Sequence, residues 1–171
     1  MNYSILQSSL DDLPAIFSHY EAAAAFQKSK KTVVVWPDFE PALVEREIIE
    51  GRQWKLVQDG IICCVWAVAF NDPQIWEERD IDPSLYIHRI ATHPTARGMQ
   101  MVQKIVHWAI PYARELNKTH LRLDTLGENK RLIEYYQSVG FTFLGLFPMK
   151  NTKGLPAHYH TAPVCLFEIK L

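Results

Sequence analysis

The most constraining stretch of this sequence runs from residue 85 to residue 141, where two strand patterns alternate with two helix patterns. The apolar run SLYIHRIATHP is typical of a buried strand and stops at Pro94. A long amphipathic run predicts a helix from about Gly98 to Leu116, with a kink or a break at Pro111. HLRLDTL predicts the next strand, and NKRLIEYYQSVGF predicts a helix that ends at Gly140. Such alternation favours a sheet covered by helices.

The rest of the chain extends this alternation on both sides. Before the stretch we predict a strand over residues 2–7, helices over about 13–28 and 40–51, and a hairpin turn at Asp59-Gly60. The polar segment NDPQIWEERDIDPS is expected to be a loop, and the strands FTFLGLF and APVCLFEIKL follow the last helix. These elements predict one α/β domain over residues 1–171, a mixed sheet with helices on both faces.

Composition narrows the classes of partner and compartment. The 171 residues carry 18 basic and 19 acidic side chains, an even balance that argues against nucleic acid as the main partner. Two of the three cysteines, Cys63 and Cys64, are adjacent on one strand and would point to opposite faces, which fits a reducing compartment. Neither a signal peptide nor an apolar run of bilayer length is visible, so we expect a cytoplasmic protein without a membrane partner.

The turn that contains Arg97 and Gly98 connects the first strand of the stretch to its long helix. Backbone N–H groups at a helix start lack partners within the helix, and the helix dipole favours an anion there. Arg97 adds a charged donor, so the turn suits a pyrophosphate. An ordinary solvent-exposed strand–turn–helix has the same local sequence, and the turn alone does not separate the two interpretations.

A second motif lies in the last helix, where Asn129, Tyr136, Gly140 and Phe141 stand in the frame N-x6-Y-x3-GF. Together with the turn, this motif resembles the GNAT superfamily of acyl-CoA-dependent N-acyltransferases. SLYIHRIATHP is similar to the family's fourth strand, TARGMQMVQKIVHWA to its acetyl-CoA-binding turn and third helix, and NKRLIEYYQSVGF to its fourth helix. The resemblance implies a mostly antiparallel sheet of six to seven strands, splayed between the fourth and fifth strands.

The resemblance also implies that acetyl-CoA is the co-substrate. Its pantetheine arm would pair with the backbone of Ile90, Ala91 and Thr92, and a backbone N–H near Ile90 would stabilise the developing oxyanion. Asn129 would both cap its helix and contact CoA. The pyrophosphate would lie on six consecutive residues of the turn: Arg97, Gly98, Met99, Gln100, Met101 and Val102.

Two residues depart from the family pattern, which usually reads Q/R-x-x-G-x-G/A at this turn. Gln100 stands at the first glycine and Val102 at the small residue, and their side chains could crowd the phosphates. The expected contacts come from backbone amides, which do not require glycine at each position. A degenerate, non-catalytic family member would show the same departure, so a CoA-binding sensor without turnover is the alternative function.

The resemblance assigns the general acid to Tyr136, whose phenol would protonate the leaving thiolate. Its neighbour Tyr135 points elsewhere on the helix and is less favoured. A half-buried structural tyrosine on an amphipathic helix is the alternative role for Tyr136.

The acceptor ammonium must lose a proton before it attacks, and we predict His88 as the base. His88 lies on the fourth strand, on the face expected to carry Tyr86 and Ile90, and an ordinary histidine titrates near neutrality. A structural histidine is the alternative interpretation. Two acidic residues are further candidate bases: Asp124 and, less favoured, Glu128.

Aromatic residues make up 12% of the chain, and several fall where this family builds its acceptor pocket. We predict that the acceptor binds against four of them: Trp36, Phe39, Trp76 and Tyr159. The same segments hold further candidates, some aromatic and some acidic enough to attract an ammonium: Tyr20, Glu21, Phe26, Asp38, Glu40 and His158. A peripheral core would have the same composition.

His158 and His160 form an H-x-H pair without a clear third ligand, so we interpret them as loop residues and expect no metal. The motifs then predict an N-acetyltransferase that uses acetyl-CoA to acetylate a primary amine of a small molecule or a peptide by direct attack. Two other classes stay open, the CoA sensor and an interaction domain built on the aromatic residues. A homodimer, common in this family, stays open as well.

Overall fold

A seven-stranded sheet in the order β1-β2-β3-β4-β5-β7-β6 forms the centre of the computed structural model, which describes residues 2–32 and 34–171. The strands are β1 (Tyr3–Gln7), β2 (Gln53–Gln58), β3 (Ile61–Ala69), β4 (Ser84–Thr92), β5 (His120–Leu126), β6 (Thr142–Phe147) and β7 (Val164–Lys170). The α-helices are α1 (Leu13–Ser29), α2 (Pro41–Ile49), α3 (Pro73–Trp76), α4 (Met101–Glu115) and α5 (Lys130–Ser138). Every pair of neighbouring strands is antiparallel except β4 with β5.

The predicted fold class is confirmed, and most predicted elements end within a few residues of their expected bounds. Asp59 and Gly60 both adopt positive φ angles, 51° and 76°, as a tight hairpin turn between β2 and β3 requires. Two expectations differ. The expected loop over 71–84 folds into α3 and a 3₁₀ turn (Glu77–Ile81), and α4 continues without a break through Pro111.

Helices cover both faces of the sheet and bury separate apolar clusters. The larger cluster joins β-strand residues such as Leu85 and Leu121 to Ile105 of α4, while α1 and α2 pack over Val65 and Ala91 on the other face. Cys63, Cys64 and Cys165 are free and buried. Among residues 2–32 and 34–171, no helix combines the length and the apolar character needed to cross a bilayer.

The predicted splay between β4 and β5 is present. The two strands pair only over Ser84–Ile87 and His120–Leu123, after which β4 stays with β3 while β5 continues along β7. Beyond Ile87 the facing edges therefore diverge and open a cleft of about 1790 Å³. Along this cleft the facing edges of β4 and β5 have no partner strand for their backbone hydrogen-bonding groups.

A β-bulge interrupts β4 at the start of the splay. His88 lies opposite Ala67 and Ala91 opposite Val65, so two residues of β4 oppose one of β3, and Arg89 takes a left-handed φ of 51°. The bulge changes which side chains share a face. His88 stays on the α1/α2 face, but Ile90 packs into the α4 cluster, so the expectation that His88 and Ile90 share a face is wrong.

Candidate functional site

A polar cluster occupies the floor of the cleft where β4 and β5 part. Nε2 of His88 lies 3.3 Å from Oδ2 of Asp72, and Nδ1 of His88 lies 3.7 Å from Oδ1 of Asp124. The hydroxyl of Tyr159 donates a hydrogen bond of 2.9 Å to the other oxygen of Asp124. The structure therefore brings together three predicted site residues, His88, Asp124 and Tyr159, and adds Asp72 to them.

Burial and mutual charge set the proton affinities of this cluster. Burial raises the pKa of Asp124 to about 6, with the nearby Asp72 adding to the rise and His88 opposing it. For His88 burial alone would lower the pKa, but the hydrogen bond to Asp72 and the charges of both carboxylates outweigh it and raise the pKa. A protonated imidazole between two carboxylates is the state that this geometry favours.

Asp72, His88 and Asp124 present possible ligand atoms within 4.8 Å of one another, close enough together to hold a metal ion. The two carboxylates, however, approach different ring nitrogens of His88. A metal ion binds one nitrogen of an imidazole, whereas an imidazolium donates from both. The arrangement therefore suits a shared proton better than a metal.

The sequence does not single out Asp72, because the polar, proline-containing segment around it predicts a loop. It stands at the N-cap of α3, directly before Pro73, which is a recognisable helix-start signal. Asp80 fixes its backbone by accepting hydrogen bonds from the Asp72 N–H at 2.7 Å and from the Tyr86 hydroxyl at 2.6 Å. These bonds hold the Asp72 carboxylate beside His88.

The wall of the cleft opposite the α4 side is aromatic. Tyr20, Trp36 and Phe39 pack edge to face with centroids 5.1 to 6.0 Å apart, and the Phe39 ring also meets His158 at 5.9 Å. Trp36, Phe39 and Tyr159 line the cleft, as do the predicted Phe26, Asp38, Glu40 and His158. That the acceptor binds against them stays a prediction.

Trp76 does not join this wall. It is buried in a separate cluster, with its ring 5.6 Å from that of Tyr86 and 4.7 Å from the guanidinium of Arg122. Trp76 is the last residue of the short helix α3, and the sequence pattern does not predict this helix. The helix directs the Trp76 side chain onto β4 and β7, where it packs against Tyr86 and Leu166. The structure thus places this predicted substrate residue in the core, outside the cleft lining.

Arg89 is a second cleft residue that the sequence did not indicate. In a regular strand it would face away from its neighbour His88, and only the bulge brings it to the same side. Its guanidinium forms an ion pair with Glu47, donates a hydrogen bond of 3.4 Å to the Tyr20 hydroxyl, and lies 5.4 Å from the centre of the Phe39 ring. Arg89 therefore connects β4 to both α1 and α2.

His158 lies beside Arg89 and is 8% exposed. Burial and then the positive charge of Arg89 lower its pKa to about 4, so this imidazole is neutral near pH 7. Its Nδ1 has no hydrogen-bond partner among the described residues. His160 instead places Nε2 3.1 Å from the carbonyl oxygen of Thr152, so the H-x-H pair does not converge on one point.

The turn before α4, where the pyrophosphate is predicted to bind, is exposed at Gly98 and Gln100. Gly98 and Gln100 have φ angles of 82° and 57°, and the Gln100 side chain is exposed to solvent. Val102 is 8% exposed and packs into the large core cluster. The expected crowding of the turn by Val102 is therefore absent, because this side chain points into the core rather than toward a ligand.

The other residues of the predicted cofactor site lie on the end of β4, on the turn before α4 and at the start of α4 and α5. Ile90, Ala91 and Thr92 form the part of β4 that β5 does not pair, and Arg97 donates to the carbonyl of Ala22 at 3.0 Å. Asn129 caps α5, its Oδ1 accepting a hydrogen bond from the Leu132 N–H at 3.2 Å, which confirms the predicted cap. Met99 and Met101 pack against the core. Contact of these residues with a cofactor stays a prediction.

Tyr136 lines the cleft from α5, on the side of the sheet that packs against Phe141 and Phe167. Burial, and then the neighbouring Tyr135 and Asp124, raise the pKa of its phenol, so it keeps its proton. Tyr135 is more exposed and lies outside the cleft lining; burial raises its pKa, while a hydrogen bond from the Val102 N–H opposes the rise. Glu128 is exposed at the cleft rim.

Comparison with known proteins gives a consistent set of relatives. The family model described as acetyltransferase (GNAT) family matches residues 23–141. The uncharacterized N-acetyltransferase YesJ of Bacillus subtilis (strain 168) is 27% identical over 74 residues, which span 43% of this chain and 41% of YesJ.

Two solved structures show the same fold over nearly the whole chain. A GNAT-family acetyltransferase from Listeria monocytogenes 4b F2365 superposes with a TM-score of 0.77 at 20% identity, covering 99% of this chain and 95% of the other. The structure of yncA, from Salmonella typhimurium with its cofactor acetyl-CoA, superposes with a TM-score of 0.69 at 17% identity, covering 100% and 95%.

Proposed function

Because the chain belongs to the GNAT family of acetyltransferases, we propose that it transfers the acetyl group of acetyl-CoA to a primary amine of a small molecule or a peptide. The observation that carries the proposal is the cluster of Asp72, His88 and Asp124 at the point where β4 and β5 diverge, with Tyr136 lining the same cleft. The cluster offers proton acceptors and Tyr136 a proton donor. Residues 1–171 would form one such domain.

The residues present fit acetyl-CoA. The edge of β4 beyond Ile87 has no partner in β5, so its backbone groups are free for the pantetheine arm. The first amides of α4 lack intrahelical acceptors and suit the pyrophosphate, and the Val102 side chain packs into the core rather than over them, although the Val102 N–H itself donates to the Tyr135 hydroxyl. The acetyl-CoA in the structure of yncA supports the same ligand for this chain.

When bound, acetyl-CoA supplies a thioester carbonyl; the amine nitrogen forms an amide bond to its carbon, the carbon–sulfur bond breaks, and CoA leaves as a thiol. The chain must first remove a proton from the acceptor ammonium. His88 and Asp124, with a ring nitrogen and a carboxylate oxygen 3.7 Å apart, act as a pair that accepts the proton, and the Asp124 carboxylate takes it when the imidazole is already charged. Asp72 keeps the imidazole oriented and favours its charged form.

Tyr136 supplies the proton that the departing sulfur needs. Its raised pKa keeps the phenol protonated at neutral pH, so the donor is available in the resting enzyme. After Tyr136 has protonated the sulfur, the nitrogen loses its second proton as the amide forms. This proton returns to the Tyr136 phenolate, so the protons balance. A backbone N–H near Ile90, on the unpaired edge of β4, stabilises the oxyanion.

The acceptor would lie on the α1/α2 side of the cleft, against Trp36, Phe39 and Tyr159. These rings provide an apolar wall, and their faces attract a cationic amine. The carboxylates of Asp72 and Asp124 give the floor of the cleft the negative charge that an ammonium requires.

The proposal is tested by calorimetric titration with acetyl-CoA, followed by an assay of free thiol release over a panel of amines and peptides. We expect acetyl-CoA to bind at micromolar to submillimolar concentration and at least one amine to release thiol stoichiometrically with acetylated product. Binding without any amine-dependent thiol release would favour the CoA sensor. Absence of acetyl-CoA binding at millimolar concentration would contradict both functions.

A further inference from the structure

The bulge in β4 places the side chains of two consecutive residues, His88 and Arg89, on the same face of the sheet. His88 belongs to the carboxylate cluster, and Arg89, the next residue, enters the same cleft from a left-handed backbone conformation. A residue other than glycine costs about 1 kcal/mol in that conformation. The fold therefore maintains an unfavourable backbone state that sets a guanidinium beside the proton-transfer cluster.

Among the described residues, the guanidinium of Arg89 does not find a hydrogen-bond acceptor for every one of its N–H donors. Nη2 donates to Glu47 and Nε to the Tyr20 hydroxyl, but Nη1 donates no hydrogen bond to any residue that the structure describes. Its side chain keeps 14% exposure, on the cleft side. Arginine offers five N–H donors, so a bound carboxylate can be added without breaking the pair with Glu47.

His158 provides a second, independent indication of a ligand at this position. Its side chain is more than nine-tenths buried and lines the cleft, and its Nδ1 has no partner among the described residues. A buried polar atom without a partner costs free energy unless a ligand or water completes it. Nδ1 has almost no solvent-accessible surface as the ring stands, so the neutral imidazole must rotate for Nδ1 to carry the hydrogen and donate to an anion beside Arg89.

Arg89 and His158 share a neighbour in Phe39, with the guanidinium 5.4 Å and the imidazole 5.9 Å from the centre of its ring. The ring of His158 is 4.6 Å from that of Tyr159, whose hydroxyl bonds Asp124. Arg89 and the carboxylate cluster are close enough for Arg89 to lower the pKa of His88. The cleft therefore has an anionic end at Asp72 and Asp124 and a donor end at Arg89 and His158.

We propose that the acceptor is a free amino acid, with its ammonium at Asp72 and Asp124 and its carboxylate on Arg89 and His158. An amino acid carries both charges on one carbon, which matches two adjacent subsites of opposite sign. This inference rests on the proposed acetyltransferase function, and it adds the substrate class. An amine without a carboxylate would leave the donors of Arg89 and His158 unpaired.

The test compares matched acceptors in the thiol-release assay. The twenty common L-amino acids are assayed first, and each active one is then compared with its methyl ester and its decarboxylated amine. We expect kcat/KM for the free acid to exceed that of the ester and the amine by roughly tenfold or more, because truncating one partner of a desolvated charge pair is costly. Titration of the same compounds into the protein loaded with CoA should show the same order.

Variants separate ligand binding from a structural role for Arg89. Arg89→Gln and His158→Phe should abolish the preference for the free acid over its ester. Arg46→Gln, which removes a cation from the exposed rim of the same cleft, should leave that ratio unchanged. Glu47→Gln should also preserve the ratio, since it breaks the ion pair but keeps the guanidinium.

Each outcome decides between two claims. Amines or esters turned over as well as the free amino acids would overturn the proposed substrate class and leave the acetyltransferase function standing. A free-acid preference that persists in Arg89→Gln, folded by circular dichroism, would overturn the role of Arg89. If none of the acceptors tested, amino acid or amine, causes thiol release, the proposed function itself is overturned, and the substrate class with it.

Discussion

The imidazole of His88 lies 3.3 Å from the carboxylate of Asp72, with Asp124 on its other ring nitrogen. This contact joins β4 to the start of α3, two segments that are 16 residues apart along the chain at Asp72 and His88. Its consequence is chemical, because the two carboxylates favour the charged imidazole and raise the pKa of His88 against the effect of burial.

Asp72→Asn should move the acid limb of the pH profile. Asp72 raises the pKa values of both His88 and Asp124, so its loss lowers the pH at which the pair becomes free to accept a proton. We expect the acid limb of kcat/KM to shift to lower pH by about one unit and kcat to fall roughly tenfold. The profile measured from pH 5 to 9 checks this.

Asp38→Asn is the matched control for that experiment, since Asp38 is an exposed carboxylate at the rim of the same cleft. It should leave the acid limb in place. If Asp72→Asn lowers activity equally at every pH, Asp72 has only a structural role.

Asp124→Asn should stabilise the protein at high pH while removing activity. The folded state holds the proton of Asp124 more tightly than the unfolded chain, with a pKa of about 6 against the ordinary 3.8. The corresponding stability is fully present below the unfolded pKa and is lost as pH rises through about 6. Asparagine avoids this loss, so the free energy of unfolding at pH 8 should rise on the order of 1–2 kcal/mol.

Thermal unfolding at pH 4 and pH 8 measures this effect, and the gain should disappear at pH 4. The amide oxygen of the substituted side chain can still accept the hydrogen bond from Tyr159, so the comparison isolates the charge. A variant less stable than the parent at pH 8 would show that attraction to His88 exceeds the cost of burying the carboxylate.

Tyr136→Phe should lower kcat by roughly 10²-fold, because the leaving sulfur loses its proton donor. The dissociation constant for acetyl-CoA, measured by calorimetry, should change less than threefold, since the ring stays in place against Phe141 and Phe167. Tyr135→Phe removes a neighbouring hydroxyl outside the cleft and should keep most of the activity. Equal losses in both variants would exclude a specific acid role for Tyr136.

Gln100→Gly should stabilise the turn before α4. Gln100 has a φ of 57°, a conformation that is unfavourable for a residue with a side chain and free for glycine. We expect the free energy of unfolding to increase by about 0.5–1 kcal/mol, measured by urea denaturation. Gln103→Gly, inside the first turn of α4, should lower it by about 1 kcal/mol instead. A loss in both variants would show that Gln100 contributes through contacts of its side chain.

The elements with strong local signals could be predicted from the sequence. Asp59-Gly60 between two apolar runs predicts the hairpin of β2 and β3. Asn129 and Gly140 mark the two ends of α5. The frame from Asn129 to Phe141 also indicated the family, whose model matches this chain. Trp76 was misplaced because its side-chain direction depends on α3, a helix of four residues with a weak local pattern.

The sequence by itself determined the order of strands and helices, the splay implied by the family motifs, and three of the residues that meet in the polar cluster: His88, Asp124 and Tyr159. Only the tertiary structure decided that Asp72 completes the cluster and that Arg89 shares its cleft. A bulge arises from the pairing of β4 with β3, and the approach of Asp72 arises from bonds to Asp80. Both depend on contacts between segments distant along the chain, which local periodicity does not encode.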